Sequence, residues 1–349
     1  MSEPLLEVEN LDIHYHTGGE DIRAVTNATF TVDEGEYFGL VGESGSGKST
    51  MAKAVIGGLD SNGEVMSGSI KYKGEEIQDF SENQLSDTIR WKEISLIPQS
   101  SMNSLDPIMK LSEQAIELAQ RHTDWSKEKS LDRFKELFEV VGLPEERIHD
   151  YPHQFSGWMQ QRAIIALALF LDPDLIIADE PTTALDVIMQ DQILKYLDKI
   201  KEEGDISMLM ITHDISVIFE TCDSLAVLHG GQVAETGNTK ELFDRPRHPY
   251  SILLQEAFPD IRFPDQELGI IEGSPPQLRE DVDYCTFVDR CPWATEECRD
   301  GVPPLAQVGD ADHYAGCIRW DEMETLASDY LDEISDSEAD SATVTGDSE

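Results

Sequence analysis

Basic residues are scarce in this chain. It has 26 Lys plus Arg against 70 Asp plus Glu in 349 residues, a formal net charge of −44. Binding to free nucleic acid is driven by basic groups that displace counterions, and adhesion to anionic membrane surfaces draws on the same attraction. The charge balance argues against both. Long apolar runs are missing as well. The longest is Ala163–Leu171, nine residues between Arg162 and Asp172, whereas a membrane-spanning helix needs about 20. No basic stretch followed by a long apolar run starts at Met1, so no export signal is expected. Cysteines number five and aromatics make up 7%. Against these absences stands a hydrophobic fraction of 40%. That is enough to bury a core, which excludes a disordered acidic polymer over most of the length. The length suits one large domain or two smaller ones.

The acid excess is spread along the chain. Residues 321–349 hold 11 Asp plus Glu and no Lys or Arg, so 33 of the net negative charges lie on the first 320 residues. Such a body resembles proteins of salt-accumulating organisms, and a halophilic archaeon is the expected source. At 1 M salt the Debye length falls to about 3 Å, so surface carboxylates repel one another little.

Periodicity predicts strands at Leu5–His16, Ala24–Val32, Tyr37–Val41, Ser69–Tyr72 and Ile94–Pro98. From Met109 to Phe170 the pattern is helical, with helices predicted over Leu111–Gln120, Lys127–Val141 and Gln160–Phe170. Strand, helix and strand return at Leu175–Ala178, Val187–Lys201 and Met208–Thr212, then strands at Ser224–Leu228 and Gln232–Thr236. This alternation implies an α/β fold with a mostly parallel sheet and a helical insert over about 100–170. Residues 1–244 read as one domain and 245–320, rich in Pro and irregular loops, as a small separate module. Residues 321–349 read as an acidic disordered tail.

The strongest local signal is Gly42-Glu-Ser-Gly-Ser-Gly-Lys-Ser-Thr50, which fits the phosphate-loop pattern between a predicted strand and a predicted helix. Glycines let successive backbone N–H groups turn toward one anion, and the helix that follows adds its positive N-terminal end. Gly42, Ser44, Gly45, Ser46, Gly47, Lys48, Ser49 and Thr50 are therefore candidate ATP-binding residues. Lys48 would reach the β- and γ-phosphates, and the Ser49 hydroxyl would hold Mg²⁺. A second signal is Leu175-Ile-Ile-Ala-Asp179-Glu180. An apolar strand ends in two carboxylates where open α/β sheets place their ligands. Asp179 would hold Mg²⁺ through its water shell, and Glu180 would orient and deprotonate the attacking water.

Four further motifs complete the set. Gln99 at the end of Ser95-Leu-Ile-Pro-Gln99 and the run Tyr151-Pro-His-Gln-Phe-Ser-Gly-Trp-Met-Gln-Gln-Arg162 lie between the first two signals, Ala184-Leu-Asp186 follows Glu180, and Thr212-His-Asp214 ends another strand. Together with the phosphate loop this set resembles the nucleotide-binding subunits of ABC transporters over residues 5 to about 240, a P-loop NTPase fold. The resemblance implies that Tyr15 stacks on adenine and that Gln99 touches Mg²⁺ and senses the membrane subunit. It implies that His213 contacts the γ-phosphate and that Ser156, Gly157, Trp158 and Met159 cap the ATP bound to an opposite subunit. Asp186 would link the two sites across the dimer. Trp158 departs from the family pattern, which has a second Gly there. Gly is used where backbone must approach closely, so the expectation is a weakened composite site in a heterodimer.

Cys285, Cys291, Cys298 and Cys317 follow C-x5-C-x6-C-x18-C spacing, and Cys222 lies apart. Disulfides are disfavoured in the reducing surroundings of a cytosolic ATPase, and four thiols in so short a stretch suggest a metal site. Structural zinc normally shows a close Cys pair, absent here, while an iron–sulfur cluster also takes four thiolates. Pro246-Arg-His-Pro-Tyr250, Gly273-Ser-Pro-Pro-Gln-Leu278 and Cys285-x5-Cys291-Pro292 resemble the C-terminal extension of dipeptide and oligopeptide permease ATPases. That resemblance implies a 4Fe–4S cluster, with zinc as the alternative. It also implies a peripheral position on the cytoplasmic side of the membrane, two transmembrane permease subunits, an extracellular substrate-binding protein and a second ATPase subunit. The cargo would be di- or oligopeptides, or with the same machinery oligosaccharides or nickel. A non-transport ABC ATPase is the distant alternative.

Overall fold

The computed structural model describes residues 3–99, 104–181, 187–203, 206–257, 271–276, 278, 282–309, 312–328 and 330. Asp186, assigned above to dimer coupling, lies outside them.

Two sheets form the body. Strands β1 (Leu6–Tyr15), β2 (Ile22–Val32), β4 (Gly63–Tyr72) and β5 (Glu75–Glu76) make an antiparallel sheet in the order β2-β1-β4-β5. The larger sheet contains β3 (Tyr37–Val41), β6 (Ile94–Ile97), β7 (Leu175–Asp179), β8 (Ser207–Thr212), β9 (Ser224–His229), β10 (Gln232–Asn238), β11 (Ala306–Gln307) and β12 (Tyr314–Ala315), in the order β11-β12-β10-β9-β3-β8-β7-β6. The pairs from β9 through β3, β8 and β7 to β6 are parallel. Every residue of β3, β7 and β8 is buried, because helices or the second sheet cover both faces, and such strands read as unbroken apolar runs. In β1 buried and partly exposed residues largely alternate, as expected of a sheet with one solvated face.

The expected parallel sheet forms the core of the larger sheet, and a separate antiparallel layer stands beside it. The division is invisible to periodicity because pairing partners are chosen across the chain. The same reason explains β4, which begins at Gly63 rather than near Ser69. Its first residues are mostly exposed and none is buried, yet Gly63↔Tyr15 and Val65↔Ile13 continue the ladder with β1.

The α-helices are α1 (Lys48–Val55), α2 (Glu82–Gln84), α3 (Leu111–His122), α4 (Lys127–Val140), α5 (Gly157–Ala168), α6 (Val187–Glu203), α7 (Ile215–Thr221), α8 (Thr239–Asp244) and α9 (Pro249–Glu256), joined by shorter π- and 3-10-helical turns. The helix after the phosphate loop stops at Val55. Gly57 takes φ +61° and its N–H donates to Ala54 O, while Gly58 N–H donates to Lys53 O, a glycine-based helix stop. Between β6 and β7, helices α3, α4 and α5 pack around Phe134, Phe138, Phe155 and Phe170, with Phe134 meeting Phe138 edge-on at 4.7 Å. A second core lies between the two sheets, where Phe30 stacks on Phe38 at 5.2 Å.

The C-terminal segment is not set apart from this body. β12 pairs with β10 through Glu235↔Ala315 and Thr236↔Tyr314, so the hairpin β11–β12 becomes the edge of the large sheet. Behind it the fully buried Glu235 accepts hydrogen bonds from Arg247 N (2.7 Å), His248 N (2.9 Å) and His313 Nε2 (2.7 Å). A buried carboxylate is tolerated only with such partners.

Candidate functional site

The phosphate loop leaves β3 at Val41 and enters α1 at Lys48. Its path depends on glycine at two points. Gly42 has φ +153°, and a Cβ there would lie 2.1 Å from Leu228 O; Gly47 has φ +100°, and a Cβ would lie 2.5 Å from Ala24 O. Ser44 and Gly45 form the exposed tip, whereas Ser46 is buried. The Lys48 side chain folds back into the loop, and Nζ donates to Gly42 O (2.7 Å), Glu43 O (2.8 Å) and Ser46 Oγ (3.3 Å). Burial pulls its pKa down, partly offset by the charges of Glu180, Asp179 and Glu43. Those three carbonyl and hydroxyl contacts are ones a phosphate oxygen could replace.

The strand register brings the second motif alongside. β7 and β8 pair with Asp179↔Ile211, and β3 and β8 with Val41↔Thr212. Asp179, Glu180, His213 and the loop therefore share the C-terminal edge of the parallel sheet, where open α/β sheets bind ligands. Ser49 Oγ donates to Asp179 Oδ1 at 3.1 Å. Burial raises the Asp179 pKa, the Ser49 hydrogen bond counteracts it, and the neighbouring Glu180 adds to the rise. A hydroxyl beside a carboxylate of raised pKa suits a divalent cation, which would favour the ionised form. Glu180 takes φ +49°, and its N–H donates to Ile211 O at 2.7 Å. Its carboxylate accepts from Gln99 Nε2 (2.7 Å) on one oxygen and meets His213 Nδ1 (3.2 Å) on the other. Left-handed backbone at a non-glycine residue costs of order 1–3 kcal/mol and clusters at functional positions.

Tyr15 ends β1 with its hydroxyl 3.4 Å from Thr50 Oγ1, beside α1. Residues 156–159 sit elsewhere, at the start of α5 in the helical layer. Ser156 is the exposed N-cap residue and makes no side-chain cap bond. Trp158 is half-buried, and the Arg162 guanidinium lies 4.8 Å from its ring and 4.5 Å from that of Tyr196. Arg147 Nη1 lies 3.5 Å from Met159 Sδ. The structure thus gathers Lys48, Ser49, Gln99, Asp179, Glu180 and His213 in one place, with Tyr15 at its flank and the 156–159 motif apart.

Two further regions complete the picture. One was not legible beforehand: the loop's Glu43 is gripped by Arg290, whose Nη1 and Nη2 donate to its two carboxylate oxygens at 2.6 and 2.9 Å, while Glu43 N–H donates to Tyr250 Oη at 3.0 Å. The only sequence hint was a carboxylate placed inside a loop built for polyanions. The other is the set of four cysteines. Cys285, Cys291, Cys298 and Cys317 line one small apolar cavity of about 20 Å³ with Phe287, Trp293 and Met323 among its walls. The expected four-thiol centre does not stand as a ready metal site in this geometry. Among the described residues no three or more His, Cys, Asp or Glu side chains form a group able to hold a metal ion. Burial pushes the Cys291 and Cys317 thiols up to about 12, so as neutral thiols they pack like small apolar groups.

Comparison with known proteins now defines the class. Residues 25–183 match the family model "ABC transporter", and residues 234–298 match "Oligopeptide/dipeptide transporter, C-terminal region". The dimeric post-hydrolysis structure of the ATP-binding cassette MJ0796 bound to ADP and Pi superposes with a TM-score of 0.60 at 31% identity, covering 67% of this chain and 98% of that one. The chain is an ABC ATPase cassette. Its relatives narrow this further. The oligopeptide transport ATP-binding protein OppD of Haemophilus influenzae is 42% identical over 85% of this chain and 92% of its own. The dipeptide transport ATP-binding protein DppD of Lactococcus lactis is 38% identical over 90% of each. The chain belongs to the ATP-binding subunits of oligopeptide and dipeptide ABC transporters. No helix among the described residues is long and apolar enough to cross a membrane.

Proposed function

We propose that this chain hydrolyses ATP to drive import of di- or oligopeptides. It would sit on the cytoplasmic face of two permease subunits, with a binding protein delivering cargo. The observation that carries the proposal is Glu180, held between Gln99 and His213 one residue beyond the Ser49–Asp179 pair. In this reading Lys48 and the backbone N–H groups of Ser44–Thr50 cradle the β- and γ-phosphates. Ser49, Asp179 and Gln99 surround Mg²⁺, and Tyr15 faces adenine. Glu180 takes a proton from the attacking water, and His213 stabilises charge on the γ-phosphate. Phosphoryl transfer of this kind needs positioning and charge neutralisation more than covalent help. The test is Glu180→Gln, which should retain ATP binding and lower turnover of the assembled transporter by about 10²-fold or more. Full turnover in that variant would refute the assignment. A screen of the cognate binding protein against peptides, oligosaccharides and nickel distinguishes the cargo readings.

One copy of each motif leaves each site to be closed by a second subunit, and we assign that role to Ser156–Met159 and Asp186. The two subunits would differ, because Trp158 replaces a small residue. Its ring lies 4.8 Å from the Arg162 guanidinium of the same helix and adds bulk at the helix's first turn.

The four cysteines suit a metal cofactor by their donor chemistry. Backbone N–H groups donate to two of the sulfurs, Thr295 N to Cys298 Sγ at 3.5 Å and Arg319 N to Cys317 Sγ at 3.4 Å, and all four line one cavity. Cys285, Cys291, Cys298 and Cys317 would hold a 4Fe–4S cluster, or zinc. Bound, it would supply a cross-link for a segment with little regular structure. Finally, the charge balance supports a salt-rich cell interior, as in a halophilic archaeon.

A further inference from the structure

Arg290 belongs to the cysteine-bearing segment, yet it is saturated by partners that end at the phosphate loop. Its side chain is 5% exposed. A guanidinium has five N–H donors, and five acceptors surround this one. Nε donates to Glu272 O (2.9 Å); Nη1 to Glu43 Oε2 (2.6 Å) and His229 Nε2 (3.2 Å); Nη2 to Glu43 Oε1 (2.9 Å) and Ile271 O (3.4 Å). The histidine is oriented to accept. Thr286 Oγ1 donates to His229 O (2.9 Å) and so accepts from His229 Nδ1 (3.0 Å), leaving Nε2 its lone pair. Burial, with Arg290 nearby, lowers the His229 pKa to about 3, so the ring is neutral.

Glu43 sits between Gly42 and Ser44, and its carbonyl accepts from Lys48 Nζ. It poses an electrostatic problem, since its carboxylate stands in a loop that must receive the phosphates of ATP. A bidentate Arg–carboxylate pair cancels that charge and fixes the geometry at once. We infer that Arg290 is a positioning residue for ATP binding. Reaching across from the cysteine-bearing segment, it neutralises Glu43 and holds the phosphate loop open to a polyanion. The inference rests on the ATP-site reading above and adds a residue that no phosphate-loop motif contains.

The test measures Mg-ATP affinity of the full-length chain, with thermal unfolding followed in parallel. Arg290→Met should weaken ATP binding about tenfold, because the Glu43 carboxylate is left uncompensated beside the phosphates. Adding Glu43→Gln to Arg290→Met should bring affinity back to within about threefold of the unmutated chain. A staple that merely held the C-terminal segment in place would not be rescued by removing a carboxylate. Should Arg290→Met fail to fold, Arg290→Lys keeps the charge but not the fork. About threefold weaker binding is then expected, again relieved by Glu43→Gln. Undiminished ATP affinity in the folded Arg290 variant, or a double variant no tighter than the single, overturns the inference. Lys48→Ala separates the two levels. If it too binds ATP undiminished, the ATP-site reading fails; if it alone loses binding, only the role of Arg290 fails.

Discussion

The phosphate-loop region and the cysteine-bearing segment are built on opposite terms. The first hangs on fully buried parallel strands whose register alone brings Lys48, Asp179 and His213 to one edge. The second has two strands of two residues each and is fastened by the β12–β10 pairing and by side-chain contacts, among them the Glu235 cluster and the Arg290 fork. The phosphate loop and its neighbours sit on regular strands, and the accessory segment is attached in good part by buried polar side chains.

Breaking the first region should have the largest effect. Glu180→Gln is expected to lower turnover by about 10²-fold or more with ATP still bound, measured as phosphate release beside nucleotide affinity. Next comes the anchor of the second region. Glu235→Ala leaves two backbone N–H groups and His313 without their buried acceptor, which should cost about 3 kcal/mol in denaturant unfolding. A loss below about 0.5 kcal/mol would show that the β12 pairing suffices alone.

The pH dependence should come from the junction as well. Burial lowers the pKa of both His229 and His248 to about 3. The unfolded chain takes up these protons near the ordinary histidine value while the folded chain does not. Their neutral state therefore favours the fold fully above about pH 6.5, and that contribution is lost as pH falls toward 3. The midpoint of unfolding should drop between pH 8 and 5, and less steeply in His248→Asn; a parallel drop in both would sink the assignment. A smaller effect, of a few-fold, is expected of Trp158→Gly on turnover of the assembled pair, and no change in rate would remove the weakened-site reading. The thiol cavity is sharpened by iron and acid-labile sulfide analysis of anaerobically purified chain. Absence of iron, sulfide and zinc would leave four packed thiols.

The edge that carries the phosphate loop and the carboxylate pair was legible because its signals are local. Gly42–Thr50 and Leu175–Glu180 each carry strand, turn and reactive side chains in consecutive residues. Strands of the antiparallel layer were legible but their separation into a second sheet was not, since β1 pairs with β2 and β4 rather than with the parallel core. Nor was the Arg290 fork, whose partner lies 247 residues away. The Tyr151–Arg162 run was readable as a motif, but its separation from the loop of the same chain appears only once α5 is placed in the helical layer.

By itself, then, the sequence determined the phosphate loop, the carboxylate pair and the family, because short-range spacing dictates backbone path and side-chain chemistry. Tertiary structure alone decided that the cysteine-bearing segment completes the large sheet and reaches Glu43. Such contacts join distant residues through burial and charge compensation, which leave no periodic trace along the chain.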